Sequence, residues 1–463
     1  MKQNKDLENL RAEIRSLTGE IVELVDRRMD LVRRIGEIKS KLKIQVEDTN
    51  VEQEIRDHVF KIRNDSQTNR ELVGRLLNLL ISESKRFQVN TNQQSNSIDH
   101  MTVFSRAKEL ERTGKKIIHL EVGEPDYLPP VATKYALMKS YDMNHVKYTD
   151  TQGIQPLRTA IAKQYQNKVS EDEIIITPGA RFAIFSAISS LVTAGDEIII
   201  LEPAWPAYKQ CAEYIGAKPI IIKTQLEHNW VPELEQIKNA ISKNTKMLVL
   251  NYPNNPTGKI LEEQSVVDII DLAKEHKIIL LSDEVYSGYA YSKFKSLIEY
   301  NYDEGLVVSS FSKNYAMTGY RIGYAISNKK NIKKMCKIQA LAITSVAEPI
   351  QYAALSALKR NSLFYAKIMK KRIDFVKERL KLMPIDFYLP DGAMYFFVRV
   401  MKSMNVLTII EKLLEMGVAV SPGVGFGSSY YNFVRISACQ KMKVLREGLN
   451  IIESVISDKE ILW

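Results

Sequence analysis

The sequence has few cysteines and no long apolar run. Cys211, Cys336 and Cys439 are the only three among 463 residues, and so few, widely spaced thiols make neither a disulfide framework nor a zinc-binding cluster. The first ten residues, MKQNKDLENL, carry charges where a secretion signal needs an apolar core. No uncharged apolar stretch reaches the roughly 18 residues of a membrane span. We therefore expect a cytoplasmic protein that neither crosses a membrane nor holds a metal.

Proline is missing from the first part of the chain. All 15 prolines lie at or beyond Pro125, and residues 1–90 contain only three glycines. Such a segment is typical of helices, because proline and glycine interrupt them. Asn90 to Asn96 form a polar run without apolar anchors, as short solvated linkers do. The sequence thus predicts a helical domain at residues 1–90, a linker at 91–100 and a second domain at 101–463.

The chain also lacks a concentrated basic segment. Its 65 Lys and Arg against 55 Asp and Glu give a net charge of +10. Residues 1–90 carry only +2, from 18 basic and 16 acidic side chains, so the remaining +8 is spread over the longer domain. A nucleic-acid-binding domain normally concentrates its basic residues on one face. We expect small-molecule substrates and no nucleic-acid partner.

The apolar residues of the first domain recur every three or four positions, which predicts one helix of about 36 residues. They are Leu7, Leu10, Ile14, Leu17, Ile21, Leu24, Leu31, Ile35, Ile38 and Leu42. A helix of that length needs shorter helices beside it, predicted at about 51–63 and 68–88, or a second subunit.

Polar residues interrupt these apolar seams. Arg28 stands where the stripe requires an apolar residue, and a cation there needs an anion to be stable. Lys39 lies three helical turns further on, on about the same face, whereas Arg11 points about 100° away and belongs to a different pocket. The seam of the last helix also turns polar, at Ser84 and Gln88.

In order and spacing, the segments LRAEIRSL, DRRMDLVRRIGEIKSKL, VEDTNVEQEI and ISESKRFQ resemble the all-helical chorismate mutase family across residues 7–88. The resemblance implies a three-helix, intertwined homodimer. It implies that Arg28 and Arg11 of the partner subunit bind the two carboxylates of chorismate, and that Lys39 and Gln88 donate to its ether oxygen. Three further residues would surround the ring hydroxyl: Asp48, Glu52 and Ser84.

These residue types suit the reaction. Rearranging chorismate to prephenate needs no nucleophile or base, only a compact conformer and donors for the charge on the breaking C–O bond. Val51 departs from the family, which usually has an arginine there, so one outer positive charge is removed. Two other interpretations stay open: a helical dimerisation module with solvated Arg and Lys, and a non-catalytic, effector-binding dimeriser.

The second domain alternates apolar β-rich runs with helical patterns. The runs EIIIT, EIIIL, KMLVL, KIILL and GLVVSS are typical of parallel strands covered on both faces. Ligands of such sheets bind at the carboxyl ends of the strands. The segments there are polar: TPGARFAI, EPAWPAY, NYPNNPTG, SDEVY and SSFSKNYAMTGYRIGY. Taken singly, each has an ordinary structural interpretation: NNPTG could form a turn, Asp283 could cap a helix and Lys313 could be a surface lysine.

Together with LEVGEPD, YTDTQG and FVRISAC, these segments resemble the fold-type I, class I aminotransferases over residues 101–460. The resemblance implies a large domain with a mostly parallel seven-stranded sheet and a small α+β domain. It also implies the cofactor pyridoxal 5′-phosphate (PLP), whose ring acts as an electron sink.

The resemblance assigns residues to the cofactor ring. Lys313 matches the lysine that forms a Schiff base with PLP and moves the substrate proton. Asp283 matches the carboxylate that keeps the pyridine nitrogen protonated, and Tyr286 and Asn255 match the donors to the ring oxygen. Two aromatic residues would lie against the ring and beside the aspartate, Trp205 and Tyr208.

The resemblance also assigns the phosphate site. Backbone N–H groups at a helix start and three side chains would bind it: Gly179, Ala180, Ser310, Ser312 and Arg321. Tyr148 matches a tyrosine that reaches the phosphate of the neighbouring subunit. A homodimer is implied.

Substrate binding rests on Arg435, which matches the residue that clamps the α-carboxylate of the amino acid, with Asn255 and the backbone of Gly123 beside it. Arg181 stands where the family often has glutamine, threonine or lysine. It could meet a second substrate carboxylate, a phosphate or a surface carboxylate. Tyr395 is expected to line the same pocket.

Both resemblances indicate aromatic amino acid synthesis by a bifunctional enzyme. The first domain would make prephenate, and the second would transaminate prephenate or an aromatic 2-oxo acid by a ping-pong mechanism, with glutamate or aspartate as donor. An aspartate or aromatic aminotransferase with a non-catalytic first domain is the alternative. A PLP-binding transcription regulator is a remote one, because one very long helix does not fit a winged helix-turn-helix.

Overall fold

The computed structural model describes residues 2–42, 49–62, 70–91, 100–359, 363–400 and 405–457. The chain forms two compact units, Met1–Ser97 and Ile98–Trp463. Most of the linker predicted at residues 91–100 lies outside the described residues, so its boundaries stay a prediction.

The first unit is helical. Its described helices are α1 (Lys2–Leu42), α2 (Thr49–Ile62) and α3 (Arg70–Thr91), which confirms the all-α prediction. Helix α1 packs on α3, where Val32, Leu77 and Ile81 are buried. The rest of the apolar stripe of α1 is 46–62% exposed within one chain, at Leu10, Ile14, Leu17, Ile21, Leu24, Leu31, Ile35 and Ile38.

The second unit contains both strands and helices. Its described strands are β1 (Ile118–His119), β2 (Ile174–Thr177), β3 (Glu197–Glu202), β4 (Lys218–Lys223), β5 (Thr245–Asn251), β6 (Ile279–Asp283), β7 (Gly305–Ser310), β8 (Gly323–Ile326), β9 (Ile385–Phe387), β10 (Tyr395–Val400), β11 (Val418–Ala419), β12 (Ser421–Pro422) and β13 (Phe433–Ser437).

The α-helices of this unit, within the described ranges, alternate with those strands. They are α4 (His100–Arg112), α5 (Val131–Asp142), α6 (Gln155–Gln164), α7 (Ala180–Leu191), α8 (Ala207–Tyr214), α9 (Leu234–Ala240), α10 (Glu263–His276), α11 (Phe311–Asn314), α12 (Lys329–Ala342), α13 (Glu348–Ala357), α14 (Leu363–Leu380), α15 (Val406–Glu415) and α16 (Met442–Ile456). Among all helices that the structure describes, none is both long and apolar enough to cross a membrane.

The large sheet has seven strands in the order β2-β8-β7-β6-β5-β3-β4. The pairs β3–β4, β3–β5, β5–β6 and β6–β7 are parallel, and β8 runs antiparallel to both of its neighbours. The predicted mostly parallel, seven-stranded sheet is therefore confirmed. Strands β2, β3, β5, β6 and β7 all present their carboxyl ends at one edge, and the site is built there.

Both faces of this sheet are covered, which explains why its strands are apolar throughout. Alternate residues of one strand enter different cores: Ile198 and Ile200 pack with α7, α8 and α12, whereas Ile199 and Leu201 pack with α6, α9, α10 and α13. This alternation follows from the two-residue period of a strand.

A smaller antiparallel sheet has the order β12-β13-β10-β9, and a two-stranded parallel pair joins β1 to β11. Helices α14, α15 and α16 cover these strands, with Met369, Ile409 and Leu449 fully buried against Phe396. This is the small α+β region that the sequence predicts. It places Arg435 on β13, opposite Phe397 and Ser421.

Candidate active sites

A buried carboxylate lies at the carboxyl end of β6. Asp283 Oδ2 accepts a hydrogen bond from the Tyr208 hydroxyl at 2.6 Å, and its Oδ1 accepts from the Val285 N–H at 3.2 Å. Asn251, at the end of the adjacent β5, donates to the Asp283 carbonyl oxygen at 3.0 Å. Burial raises the pKa of Asp283 to about 6, although both hydrogen bonds to its carboxylate oppose that change.

A partly buried amine follows β7, the strand next to β6. Lys313 is on the single turn of α11, and its Nζ donates to the Gly123 carbonyl oxygen at 2.6 Å. The Tyr289 hydroxyl donates to the Lys313 carbonyl oxygen at 2.7 Å and so fixes the backbone that carries the amine. Burial lowers the pKa of Lys313, because a charged ammonium loses its water there.

Gly123 has to be glycine. A Cβ at this position would lie 1.6 Å from the Tyr395 hydroxyl oxygen. That hydroxyl lies 2.9 Å from the hydroxyl of Tyr286, and both tyrosines are buried. The close approach brings the Gly123 carbonyl, Lys313 and the two tyrosines into one cluster.

Arg435 is a buried cation whose hydrogen-bonding capacity is not fully used by the described residues. Its guanidinium donates to Asn255 Oδ1 at 2.7 Å, to Ser421 Oγ at 3.2 Å and to the carbonyl oxygen of Glu121. It also lies over the Tyr395 ring, 4.3 Å from the centroid. Its Nε is buried without a hydrogen-bond partner among the described residues. A carboxylate is the acceptor that an arginine with an unused donor binds most strongly.

The start of α7 forms a narrow cradle. Gly179 caps the helix at φ +85°, and a Cβ there would lie 2.7 Å from Arg321 Nη2. A Cβ on Gly323 would lie 2.8 Å from the Ala180 nitrogen. The Gly179 N–H, predicted to face the phosphate, instead donates to the Thr177 carbonyl oxygen at 2.7 Å. The first-turn N–H groups from Ala180 onward are the ones that a helix start offers to an anion.

Serine side chains lie near this cradle, at the end of β7. Ser310 Oγ accepts from the Ser312 N–H at 3.0 Å and donates to the Ile322 carbonyl oxygen at 3.4 Å. Both serines are buried.

Trp205 lies between two of the predicted site residues. It meets Tyr208 edge to face with ring centroids 5.5 Å apart. The Arg181 guanidinium carbon lies 4.7 Å from the centroid of the Trp205 ring. Arg181 is exposed, so its charge can turn toward a ligand at the tryptophan.

Tyr148 is 89% exposed, on the loop between α5 and α6. Asp283 and Arg435 are buried in the same unit, and Lys313 is partly buried.

In the first unit, the structure brings Arg28 of α1 to the polar seam of α3. Arg28 Nη1 donates to Ser84 Oγ at 2.5 Å and to the Leu80 carbonyl oxygen at 2.9 Å. Lys39 and Glu52 are half-buried, and Arg11 is exposed. Gln88 lies on α3, and Asp48 lies outside the described residues.

Sequence reasoning missed Tyr289, Ser421 and Glu121. Tyr289 follows Tyr286 by three residues, and only that spacing indicates that Tyr289 lies near the site. Ser421 and Glu121 contact Arg435 across 14 and 314 residues; Glu121 lies in the segment LEVGEPD, but that pattern does not indicate a contact with Arg435.

Comparison with known proteins agrees with this geometry. Residues 115–452 match the family of class I and II aminotransferases, and residues 10–89 match type II chorismate mutase. The chain thus belongs to the class I and II aminotransferases and carries a chorismate mutase domain before the transferase domain. Both an isomerase and a transferase are present in one chain.

Individual relatives cover the second unit. An aspartate aminotransferase of Thermotoga maritima is 34% identical over 367 residues, which are 78% of this chain and 96% of that protein. An aspartate/prephenate aminotransferase of Thermus thermophilus is 32% identical over 368 residues, 77% of this chain and 95% of that protein. The solved Thermus thermophilus aspartate aminotransferase with maleate is 31% identical, with a TM-score of 0.74 over 78% of this chain and 98% of that one.

Proposed function

We propose that this chain is a bifunctional enzyme of aromatic amino acid synthesis in the cytoplasm. Its first unit rearranges chorismate to prephenate, and its second unit transfers an amino group from glutamate or aspartate to a keto acid, with prephenate as the preferred acceptor. The observation that carries the proposal is the fusion itself, because the product of the first domain is a keto acid of the kind the second domain consumes. A relative of the second domain is named as an aspartate/prephenate aminotransferase.

For the mutase, Arg28 is the central cation. It is half-buried and already hydrogen-bonded to Ser84, so it is held in one orientation toward the seam between α1 and α3. Arg28 would bind a carboxylate of chorismate, and Lys39 and Gln88 would donate to the ether oxygen whose charge grows as the C–O bond breaks. Glu52, Ser84 and Asp48 would orient the ring hydroxyl.

Arg11 lies 17 residues before Arg28 on the same helix, which is about 26 Å along its axis. Arg11 and Arg28 of the same chain are therefore too far apart to bind one small substrate together. Arg11 of the partner subunit would complete the site, and the exposed apolar stripe of α1 would be covered in the same homodimer.

The second site fits PLP. A cationic ring nitrogen beside Asp283 would compensate a carboxylate whose pKa burial has raised. The α7 start, with Gly179 and Gly323 leaving space, would hold the phosphate together with Ala180, Ser310, Ser312 and Arg321. Trp205 would stack on the ring, and Tyr148 of the partner subunit would reach the phosphate.

When bound, PLP supplies an electron sink conjugated with the amine of the substrate. Asp283 would keep the proton on the ring nitrogen. Tyr286 and Asn255 would donate to the ring oxygen. Lys313 Nζ, whose pKa is lowered by burial, accepts the proton that leaves the substrate Cα. Arg435 binds the α-carboxylate through its unused Nε and one Nη, beside the Gly123 backbone.

Arg181 would select dicarboxylic substrates. Its exposed guanidinium stacks on Trp205, close to where the substrate side chain would extend. Glutamate, aspartate and prephenate each carry a second carboxylate that such a cation would bind. The solved relative with maleate shows a dicarboxylate with a protein of this fold.

An aspartate aminotransferase with a regulatory first unit is the second candidate. Relatives of the transferase unit are named aspartate aminotransferases, and Val51 removes an outer charge from the mutase site.

Two variants separate these functions. Arg28→Ala should lose chorismate consumption and still transaminate added prephenate, and Lys313→Ala should do the reverse. Wild-type chorismate consumption in the Arg28→Ala protein would contradict the mutase assignment. Failure of the wild type to transaminate prephenate, with aspartate and 2-oxoglutarate still reacting, would favour the second candidate.

A further inference from the structure

The loop that carries Tyr148 is held unusually firmly for a segment with an exposed aromatic residue. Tyr148 is 89% exposed within one chain, and the loop runs from the end of α5 to Ile154 before α6. Side chains of α12 and α13 make hydrogen bonds to the loop on both sides of Tyr148.

Gln351 makes the central contacts. It is fully buried on α13, where its Nε2 donates to Thr149 Oγ1 at 3.0 Å and to the Val346 carbonyl oxygen at 2.7 Å. Its Oε1 accepts from the Ile154 N–H at 2.8 Å. The side-chain amide of Gln351 thus bonds both Thr149, the residue after Tyr148, and Ile154, the last residue of the loop.

Two further side chains hold the same loop. Glu348, three residues before Gln351 on α13, accepts from the Lys147 N–H at 2.9 Å. Gln339 is fully buried on α12 and donates to the carbonyl oxygens of Thr151 and Ile176, at 2.6 and 2.7 Å. The backbone before and after Tyr148 is therefore fixed.

Burying an amide costs free energy unless its hydrogen bonds are made. Here the hydrogen bonds of two buried amides hold a loop that carries an exposed tyrosine. Fixing a loop in advance removes the entropy loss that would otherwise weaken a later contact. A contact made by Tyr148 is therefore stronger than the same contact made from a flexible loop.

We propose that Gln351 is a positioning residue for the neighbouring active site: it holds the loop so that the Tyr148 hydroxyl donates to the PLP phosphate in the partner subunit. This inference rests on the homodimer and on the role proposed for Tyr148. Gln351 acts only through Tyr148, so removing both should cost no more PLP affinity than removing one.

The test is a double-mutant cycle on the dissociation constant of PLP, measured by equilibrium dialysis of the full-length, PLP-free protein. Tyr148→Phe and Gln351→Met should each raise the constant about tenfold, as expected for a lost hydrogen bond to a charged group. The double variant should match the single ones. Gln264→Met, on the exposed face of α10, is the matched control and should leave the constant unchanged.

Additive losses in the double variant would show that Gln351 only stabilises the fold, and would overturn the inference while leaving the role of Tyr148 intact. An unchanged constant in Tyr148→Phe would overturn the role of Tyr148 and the inference with it. Should Gln351→Met fail to fold, Thr149→Val removes the acceptor that Gln351 uses next to Tyr148, together with the exposed hydrogen bond from Thr149 to the Asp150 carbonyl oxygen, and completes the same cycle.

Discussion

The hydroxyl of Tyr208 donates to the carboxylate of Asp283 at 2.6 Å. Both residues are buried at the sheet edge where the cofactor is proposed to bind. This contact joins α8 to the end of β6 across 75 residues of chain. It favours the charged form of an aspartate that burial would otherwise neutralise.

Because the pKa of Asp283 is raised in the fold, we expect the free energy of unfolding of the PLP-free protein to depend on pH. This pKa of about 6 in the fold exceeds the ordinary value of about 4, so the folded state holds a proton between these pH values that the unfolded state has lost. The contribution of Asp283 to the free energy of unfolding therefore falls as pH rises from 4 to 6, by about 3 kcal/mol. Asp283→Asn removes this titration.

PLP-free Asp283→Asn should thus be more stable than PLP-free wild type at pH 8 and equally stable at pH 4, as measured by urea unfolding. Glu284, whose pKa burial raises to about 7, titrates in the same direction in both proteins, and the neighbouring Asp283 charge is only the smallest cause of its raised pKa. An equal stability difference at both pH values would contradict the prediction.

Arg435→Lys should raise KM for amino acid substrates about a hundredfold with a smaller change in kcat. A lysine cannot form the two parallel hydrogen bonds of a guanidinium to a carboxylate. Steady-state kinetics with aspartate and glutamate would measure it. Arg399→Lys, in an ion pair with Glu227 and Asp386, is the control and should leave KM unchanged.

Arg181→Gln should raise KM for dicarboxylic substrates more than for neutral amino acids. The exposed guanidinium would bind the second carboxylate, so the increase in KM should be about tenfold larger for dicarboxylic than for neutral substrates. Parallel kinetics with glutamate and with phenylalanine give this ratio. Equal changes for both classes of substrate would assign Arg181 to the phosphate or to the surface.

Arg11→Ala and Arg28→Ala should each lose most mutase activity. When the two variants are co-expressed, activity should return to about a quarter of the wild-type value, because half of the dimers are mixed and each has one intact site. The mixture is compared with either variant alone by chorismate consumption. No recovery in verified mixed dimers would place Arg11 outside the site.

Much of the fold could be predicted because its signals are local. The runs that end at Thr177, Asp283 and Ser310 are apolar up to their polar carboxyl ends, as is typical of strands covered on both faces, and a polar segment follows each. The long helix α1 likewise follows from its three- and four-residue spacing. Strand β4, by contrast, was not predicted, although KPIIIK is apolar in its centre.

The contacts between distant segments could not be predicted. Arg435 meets the Glu121 carbonyl, and Gln351 meets Thr149, only because the sheet and α13 bring these segments together. Local spacing gives no sign of either pair. The bond from the Gly179 N–H to the Thr177 carbonyl oxygen likewise depends on the turn geometry before α7.

The central claim is that both domains act in sequence on one substrate. Pure, PLP-loaded protein should be incubated with chorismate and ¹⁵N-glutamate, with products followed by NMR and mass spectrometry. The account predicts that chorismate disappears and ¹⁵N-labelled arogenate, the transamination product of prephenate, accumulates with 2-oxoglutarate. Persistence of chorismate, or accumulation of prephenate without labelled arogenate, would contradict it.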